Sequence, residues 1–310
     1  MKHFLSISDL TATQILDVLS LAQKLKKELK VKGGHQPILQ NKSLVMLYEK
    51  PSLRTRLSFD IGINQLGGHA VYLSPNEIGI GTRESVGDVA TVASRMGDVL
   101  VARTFEHSTI EEIAHHSLVP VINALSNREH PCQTLADLMT ILEYKKNLKG
   151  LNIAFVGDGN NNVTHSLALA AGMLGLKLHV AAPIGYEMNK DITTQAKIYA
   201  QDSGGSITET VDPAEAVHSA DVVYTDTWIS MGQESEKTKR LPIFKPYQVT
   251  SGLMELAKPD AIFMHDLPAY RGNEVTGEVI DGPQSVVFEQ AENRLHAQKA
   301  LLAYLLEKII

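Results

Sequence analysis

The amino-acid sequence predicts an α/β protein of two domains, each a mainly parallel sheet flanked by helices. Three observations predict it. Short apolar runs of buried-strand character alternate with stretches at helical spacing along the chain. A second series of such units starts afresh at Leu151, after a stop made by Lys145, Lys146 and Gly150. A chain of 310 residues, 44% of them apolar, is also long enough to bury two cores.

The elements follow in order. Residues 8–30 read as one amphipathic helix capped by Ser8 or Asp9, with Ile15, Val18, Leu19 and Ala22 on its apolar side and lysines in its last turns. Ser43-Leu44-Val45-Met46-Leu47-Tyr48 is a buried strand, and after a Glu49-Lys50-Pro51 turn a helix runs to Gly67-Gly68. A strand at 69–73 comes next. Residues 74–82 show no periodicity and read as a mobile loop, a candidate lid. Helices over 85–96 and 109–116 alternate with strands at 99–102 and 119–123, which completes a βαβαβ series. A long helix over 131–144 leads to the second unit. There a strand at 151–156 ends in the turn Gly157-Asp158-Gly159, and a helix over 166–174 follows Asn160-Asn161-Asn162. Strands at 178–182, 221–225 and 261–264, a helix over 192–199 and a last helix over 290–306, which can pack on either unit, complete the chain.

Composition narrows the function. A net charge of −6 argues against a broad nucleic-acid surface, so paired arginines are better suited to a small anion. The single cysteine, Cys132, allows no disulfide framework and suggests no zinc cluster. The first residues lead straight into the helix pattern without an apolar signal core, and no run approaches spanning length. Cytoplasm is therefore the expected compartment.

Chemistry-bearing residues gather at the carboxyl ends of the strands, where parallel α/β sheets bind ligands. Ser52-Leu53-Arg54-Thr55-Arg56 combines a helix cap, first-turn N–H groups and two guanidinium groups, which suits an oxyanion or phosphate. Arg103 ends a strand, and His130 and Gln133 stand one turn apart after the next one. Together they can hold a carbonyl group and stabilise charge growing on its oxygen. Cys132 between them reads as a buried structural thiol. In the second unit Gly157-Asp158-Gly159 lacks the third glycine of a dinucleotide fingerprint, and the amides beside it suit a zwitterion better. The loop from Asp226 to Glu234 offers a carboxylate and a hydroxyl to an ammonium, and His265-Asp266-Leu267-Pro268 ends a further strand.

These motifs, in this order over nearly the whole chain, closely resemble the ornithine carbamoyltransferases. The first two belong to all carbamoyltransferases and imply carbamoyl phosphate, while Ser230-Met231-Gly232 marks the ornithine branch. The resemblance implies a carbamoyl phosphate-binding domain over residues 1–135, a linking helix over 136–150, an ornithine-binding domain over 151–289, and a helix over 290–310 packing back on the first domain. It implies carbamoyl phosphate contacts from Ser52, Leu53 (through its backbone), Arg54, Thr55, Arg103, His130, Gln133, Leu267 and Arg294. Asn162, or Asn161 if the run of three is aligned one place earlier, would bind ornithine with Asp226, Ser230 and Met231. Thr55, Arg103, His130 and Asp266 would be catalytic. No cofactor or metal is implied, and a homotrimer or a multiple of trimers is.

Two positions depart from the family pattern. Relatives have Cys where this chain has Asp266, and they often have Gln or Lys near Gly79, reaching into a neighbouring subunit. Asp266 keeps two alternatives open, a different amine such as putrescine or an acylated ornithine, and a carbamoyl phosphate-binding protein with impaired turnover. A nicotinamide-dependent oxidoreductase rests on Gly157-Asp158-Gly159 alone.

Overall fold

The computed structural model describes residues 3–81, 83–230 and 232–307. It resolves into two compact units, Met1–Met139 with Glu292–Ile310, and Thr140–Ala291. Both boundaries fall inside helices.

The sheet of the first unit holds β1 (Ser43–Tyr48), β2 (His69–Leu73), β3 (Val99–Arg103) and β4 (Val121–Leu125), all parallel in the order β2-β1-β3-β4. Its helices are α1 (Ala12–Lys32), α2 (Leu53–Gln65), α3 (Pro75–Ile78), α4 (Val86–Met96), α5 (His107–His116) and the first part of α6 (Pro131–Lys145). Central strands β1 and β3 are buried almost throughout, as continuous apolar runs in parallel sheets should be, whereas edge strand β2 is half exposed. The strand order reverses between β1 and β3. Their following loops diverge there and leave a crevice at the carboxyl ends.

The second unit repeats the plan with β5 (Asn152–Val156), β6 (Lys177–Ala181), β7 (Ser206–Thr210), β8 (Val222–Tyr224) and β9 (Ile262–Met264), parallel in the order β7-β6-β5-β8-β9. Here the order reverses between β5 and β8. The helices are α7 (Asn162–Leu174), α8 (Lys190–Ser203), α9 (Pro213–Val217), α10 (Lys237–Phe244), α11 (Ser251–Met254) and α12 (Gly277–Ile280), with α13 (Val287–Leu305) ending the chain. From Glu292 onward α13 belongs to the first unit, where Asn293 accepts a 2.7 Å hydrogen bond from Lys26 of α1. Among the described residues no helix is long and apolar enough to cross a membrane.

Several elements differ from the sequence expectation. The first helix starts later, at Ala12, because Thr11 and Gln14 form a reciprocal cap while Asp9 accepts from the Leu5 and Ser6 N–H groups of the preceding turn. The expected loop at 74–82 contains α3, with Pro75 as its first residue and Glu77 accepting from the Ser74 N–H at 2.7 Å. Thr82 lies outside the described residues. Helix α7 begins four residues earlier than expected because Asn161 caps it. Strand β7 escaped the periodicity reading, since as an edge strand it buries little besides Ile207.

Candidate active site

In the first unit the crevice between β1 and β3 receives the cap of α2. Ser52 has extended backbone angles, and its Oγ accepts from the Thr55 N–H at 3.3 Å while donating to Thr55 Oγ1 at 2.9 Å. Arg294 of α13 donates its Nη2 hydrogen to the same Thr55 oxygen at 2.6 Å. With both lone pairs used, the Thr55 hydroxyl keeps its own proton to give. First-turn N–H groups have no acceptor within their helix, so Leu53 offers backbone there while its side chain stands 68% exposed. Arg54 is half-buried on the same turn, and Arg56 stacks over the Tyr72 ring at 4.0 Å.

Arg103 ends β3 in register with Tyr48, the last residue of β1, and is buried. His130 is buried just before α6, and its carbonyl accepts from the Gln133 and Thr134 N–H groups at 3.0 and 3.2 Å. Gln133 donates Nε2 to Asp137 at 2.8 Å, which fixes the amide orientation. Its buried Oε1 accepts nothing from the described residues. A buried carbonyl oxygen of this kind suits an NH2 group. Cys132 donates to the Asn123 carbonyl at 3.3 Å, and burial pushes its thiol up to about 12, so it stays an inert thiol at neutral pH.

Two further residues of this crevice lay beyond the sequence reading. Lys50 is buried, with its Nζ 4.7 Å from the Phe105 ring centre, and burial together with the Arg103 cation brings its pKa down to about 8. Tyr48 has a buried hydroxyl that makes no hydrogen bond among the described residues. Burial raises its pKa, opposed by the nearby Arg103 and Arg294 charges. Lys50 adjoins the arginine motif in sequence, a signal that was present; Tyr48 looked like one more strand residue.

In the second unit the reversal between β5 and β8 gathers another set. Asn161 caps α7, its Oδ1 accepting from the Val163 and Thr164 N–H groups at 2.7 and 3.2 Å, and its Nδ2 donates to Asp226 Oδ2 at 2.6 Å. Asn162 is the first helical residue and is half-buried. Asp226 also accepts from the Thr227 N–H at 2.6 Å, and Ser230 follows in the same loop, its N–H given to Gln233 Oε1 at 3.1 Å. Met231 lies outside the described residues.

The turn before Asn161 is organised by packing and an ion pair. Gly157 has φ +138°, and a Cβ on Gly159 would stand 2.8 Å from the Tyr186 carbonyl. Asp158 is buried against Arg240 of α10, whose Nε donates to the Trp228 carbonyl at 2.6 Å. Burial raises the Asp158 pKa and the Arg240 charge pulls against that rise. Both glycines and the aspartate are thus engaged by protein. Arg240, absent from the sequence reading, ties the turn carrying Asn161 to the loop carrying Asp226 and Ser230.

Asp266 stands after β9 beside Asp226 and the buried His265. Burial first, then the charge and hydrogen bond of Asp266, raise Asp226 well above the usual aspartate range. Burial opposes charging of His265, while its contacts with Asp266 and Glu274 act to raise its pKa. One proton therefore has two possible homes, the imidazole or the aspartate pair. The Leu267 N–H points at His265 Nδ1 at 2.9 Å, which needs that nitrogen's lone pair, while Nε2 faces Glu274 at 3.2 Å. This geometry favours a neutral ring and a proton shared by Asp226 and Asp266. One ligand atom each from Asp226, His265 and Asp266 lie within 4.8 Å of one another, but both ring nitrogens are already engaged, so the trio is poorly suited to a metal ion. Leu267, expected on the anion, belongs to this second unit and has φ 60°.

The chain resembles known proteins along its whole length. A family model described as aspartate/ornithine carbamoyltransferase, carbamoyl-P binding domain, matches residues 2–143, and its Asp/Orn binding domain counterpart matches residues 149–305. The ornithine carbamoyltransferase of Caldicellulosiruptor saccharolyticus is 53% identical over 304 residues, covering 98% of each chain. That of Bacillus subtilis is 50% identical over 307 residues, 99% of this chain and 94% of the relative. Among solved structures, ornithine carbamoyltransferase from Pyrococcus furiosus superposes with a TM-score of 0.96 at 48% identity, covering 100% of this chain and 98% of the other.

Proposed function

The chain belongs to the aspartate/ornithine carbamoyltransferase family, and from that premise we propose that it transfers the carbamoyl group of carbamoyl phosphate to the δ-amine of L-ornithine, giving L-citrulline and phosphate. The observation that carries the anion half is Thr55, which takes hydrogen bonds from Ser52 and Arg294 and keeps its own hydroxyl proton for the ligand. Ser52, Leu53, Arg54 and Arg294 hold the phosphate; Thr55, Arg103 and His130 polarise the carbamoyl oxygen, and Gln133 Oε1 accepts from the carbamoyl NH2. Leu267 is assigned to the same ligand. The neutral δ-amine attacks the carbonyl carbon, the bond from that carbon to the phosphate oxygen breaks, and the departing phosphate takes the amine proton. Asn162, Asp226, Ser230 and Met231 bind the amino-acid end of ornithine, with Asn161 holding Asp226 in place. Asp266 adjoins the reacting amine.

A colorimetric citrulline assay across ornithine, putrescine, aspartate and acylated ornithines tests this reading, and a preference for any acceptor but ornithine overturns it. Asp266 is the one observation favouring a different amine, since a second carboxyl suits a diamine. Arg240→Lys keeps the charge but loses the fork that joins Asp158 to the Trp228 carbonyl. It should raise KM for ornithine about tenfold while leaving KM for carbamoyl phosphate alone; equal rises in both would deny Arg240 a place at the ornithine end.

The same reading includes a homotrimer acting in arginine biosynthesis in the cytoplasm. Leu53, Leu57 and Ile61 recur every fourth residue as an exposed apolar stripe on α2, and Val71 on edge strand β2 is exposed as well. Light scattering should report three chains per particle or a multiple of three, and a monomer would overturn the assignment. Complementation of an arginine auxotroph unable to carbamoylate ornithine tests the biosynthetic role.

A further inference from the structure

Lys299 of α13 is a fully buried cation of the first unit. Its Nζ donates to Gln65 Oε1 at 2.8 Å and to His35 Nε2 at 2.9 Å. An ammonium group can only donate, so His35 Nε2 must accept, which leaves the ring proton on Nδ1. That proton goes to Glu28 Oε2 of α1 at 3.2 Å. Gln65 is the last residue of α2, and a Cβ on Gly62, three residues earlier, would lie 3.1 Å from Lys299 Cγ. The lysine stem thus lies flat on α2 and its head ties together α13, the C-terminal end of α2, the segment after α1 and, through His35, α1 itself. Burial brings its pKa down to about 8, with Glu28 acting to hold it up, so the ammonium form prevails at neutral pH.

Five residues before Lys299 on the same helix stands Arg294, whose guanidinium meets Thr55 on the first turn of α2. Thr55 and Gln65 are separated by ten helical residues, roughly 15 Å. The two contacts therefore pin α13 to both ends of α2. A buried lysine without a carboxylate in direct contact is costly, and an apolar side chain would fill the same space without that cost. We propose that Lys299 is a positioning residue for the anion site: by fastening α13 to the far end of α2, it sets where the Arg294 guanidinium stands beside Thr55. The inference rests on the reading that the first unit binds carbamoyl phosphate.

Calorimetric titration with carbamoyl phosphate, together with steady-state kinetics on the full chain, tests it. Lys299→Met should weaken carbamoyl phosphate binding about tenfold and raise its KM equally, with KM for ornithine changed less than twofold. Gln65→Met removes one acceptor and leaves the lysine in place; it should weaken binding about threefold, and it serves as the test if Lys299→Met does not fold. If Lys299 acts through Arg294, Lys299→Met should cost no further affinity in an Arg294→Met background. Wild-type affinity in the folded single variants, or fully additive losses in the double variant, overturns the inference alone. Absence of carbamoyl phosphate binding by the wild type overturns the functional reading and the inference with it.

Discussion

Arg54→Ala is expected to abolish citrulline formation by removing carbamoyl phosphate from the enzyme. Arg54 stands on the first turn of α2, where the helix N-terminus and the Ser52 cap already favour an anion, and its guanidinium supplies the charge that the cap lacks. Charge-assisted hydrogen bonds contribute about 1.5–3 kcal/mol each. A transition-state donor adds on the order of 10²–10³ in kcat. We expect binding to weaken roughly 10- to 100-fold from the first effect and turnover to fall further through the second, with the fold intact. The cap and the Arg294 to Thr55 bond do not involve the Arg54 side chain. Calorimetry with carbamoyl phosphate checks the result; affinity near that of the wild type would remove Arg54 from the phosphate grip.

Asp266→Cys is expected to raise ornithine turnover and to change how stability depends on pH. In the wild type, burial and Asp266 hold the Asp226 carboxyl above its ordinary range, so the pair keeps a proton where an isolated aspartate would have lost it. A carboxyl whose folded pKa exceeds its unfolded value binds more protons in the folded state. The stability from this proton is fully present below the ordinary aspartate pKa and is lost as pH rises through the raised folded value. Removing the second carboxyl lowers the Asp226 pKa toward its ordinary range and flattens that slope. Asp226 then ionises more readily and is more available to the ornithine ammonium. We expect kcat/KM for ornithine to rise about tenfold, equivalent to about 1.4 kcal/mol. We also expect Tm near pH 8 to rise by about 1.5 °C, from roughly 1 kcal/mol in a chain of this size. Melting curves from pH 5 to 9 and the citrulline assay check both. Parallel pH profiles for wild type and variant would show that the two aspartates do not share a proton.

Sequence alone determined the elements whose causes lie within a few residues. The apolar runs of β1, β3 and β5 bury themselves wherever the chain goes, and Ser52 caps α2 because the Thr55 N–H is three residues away. The parallel plan and the placement of Ser52, Arg103, Asp226 and Asp266 beyond strand ends follow from the same local pattern. Where local rules were missed they were still present, as in the Ser74 to Glu77 box of α3 and the Asn161 cap of α7.

Tertiary structure decided the pairings between residues far apart in the chain. Arg294 reaches Thr55 across 239 positions, Arg240 reaches Asp158 across 82, and Lys299 reaches Gln65 across 234. No periodicity encodes such partners, because the strand order brings them together only after both sheets form. The protonation of Asp226 is of the same kind. In sequence, Asp226 and Asp266 are two ordinary aspartates. With the two side by side after β8 and β9, burial of Asp226 and the like charge of Asp266 within hydrogen-bond reach raise the Asp226 pKa well above the ordinary aspartate range.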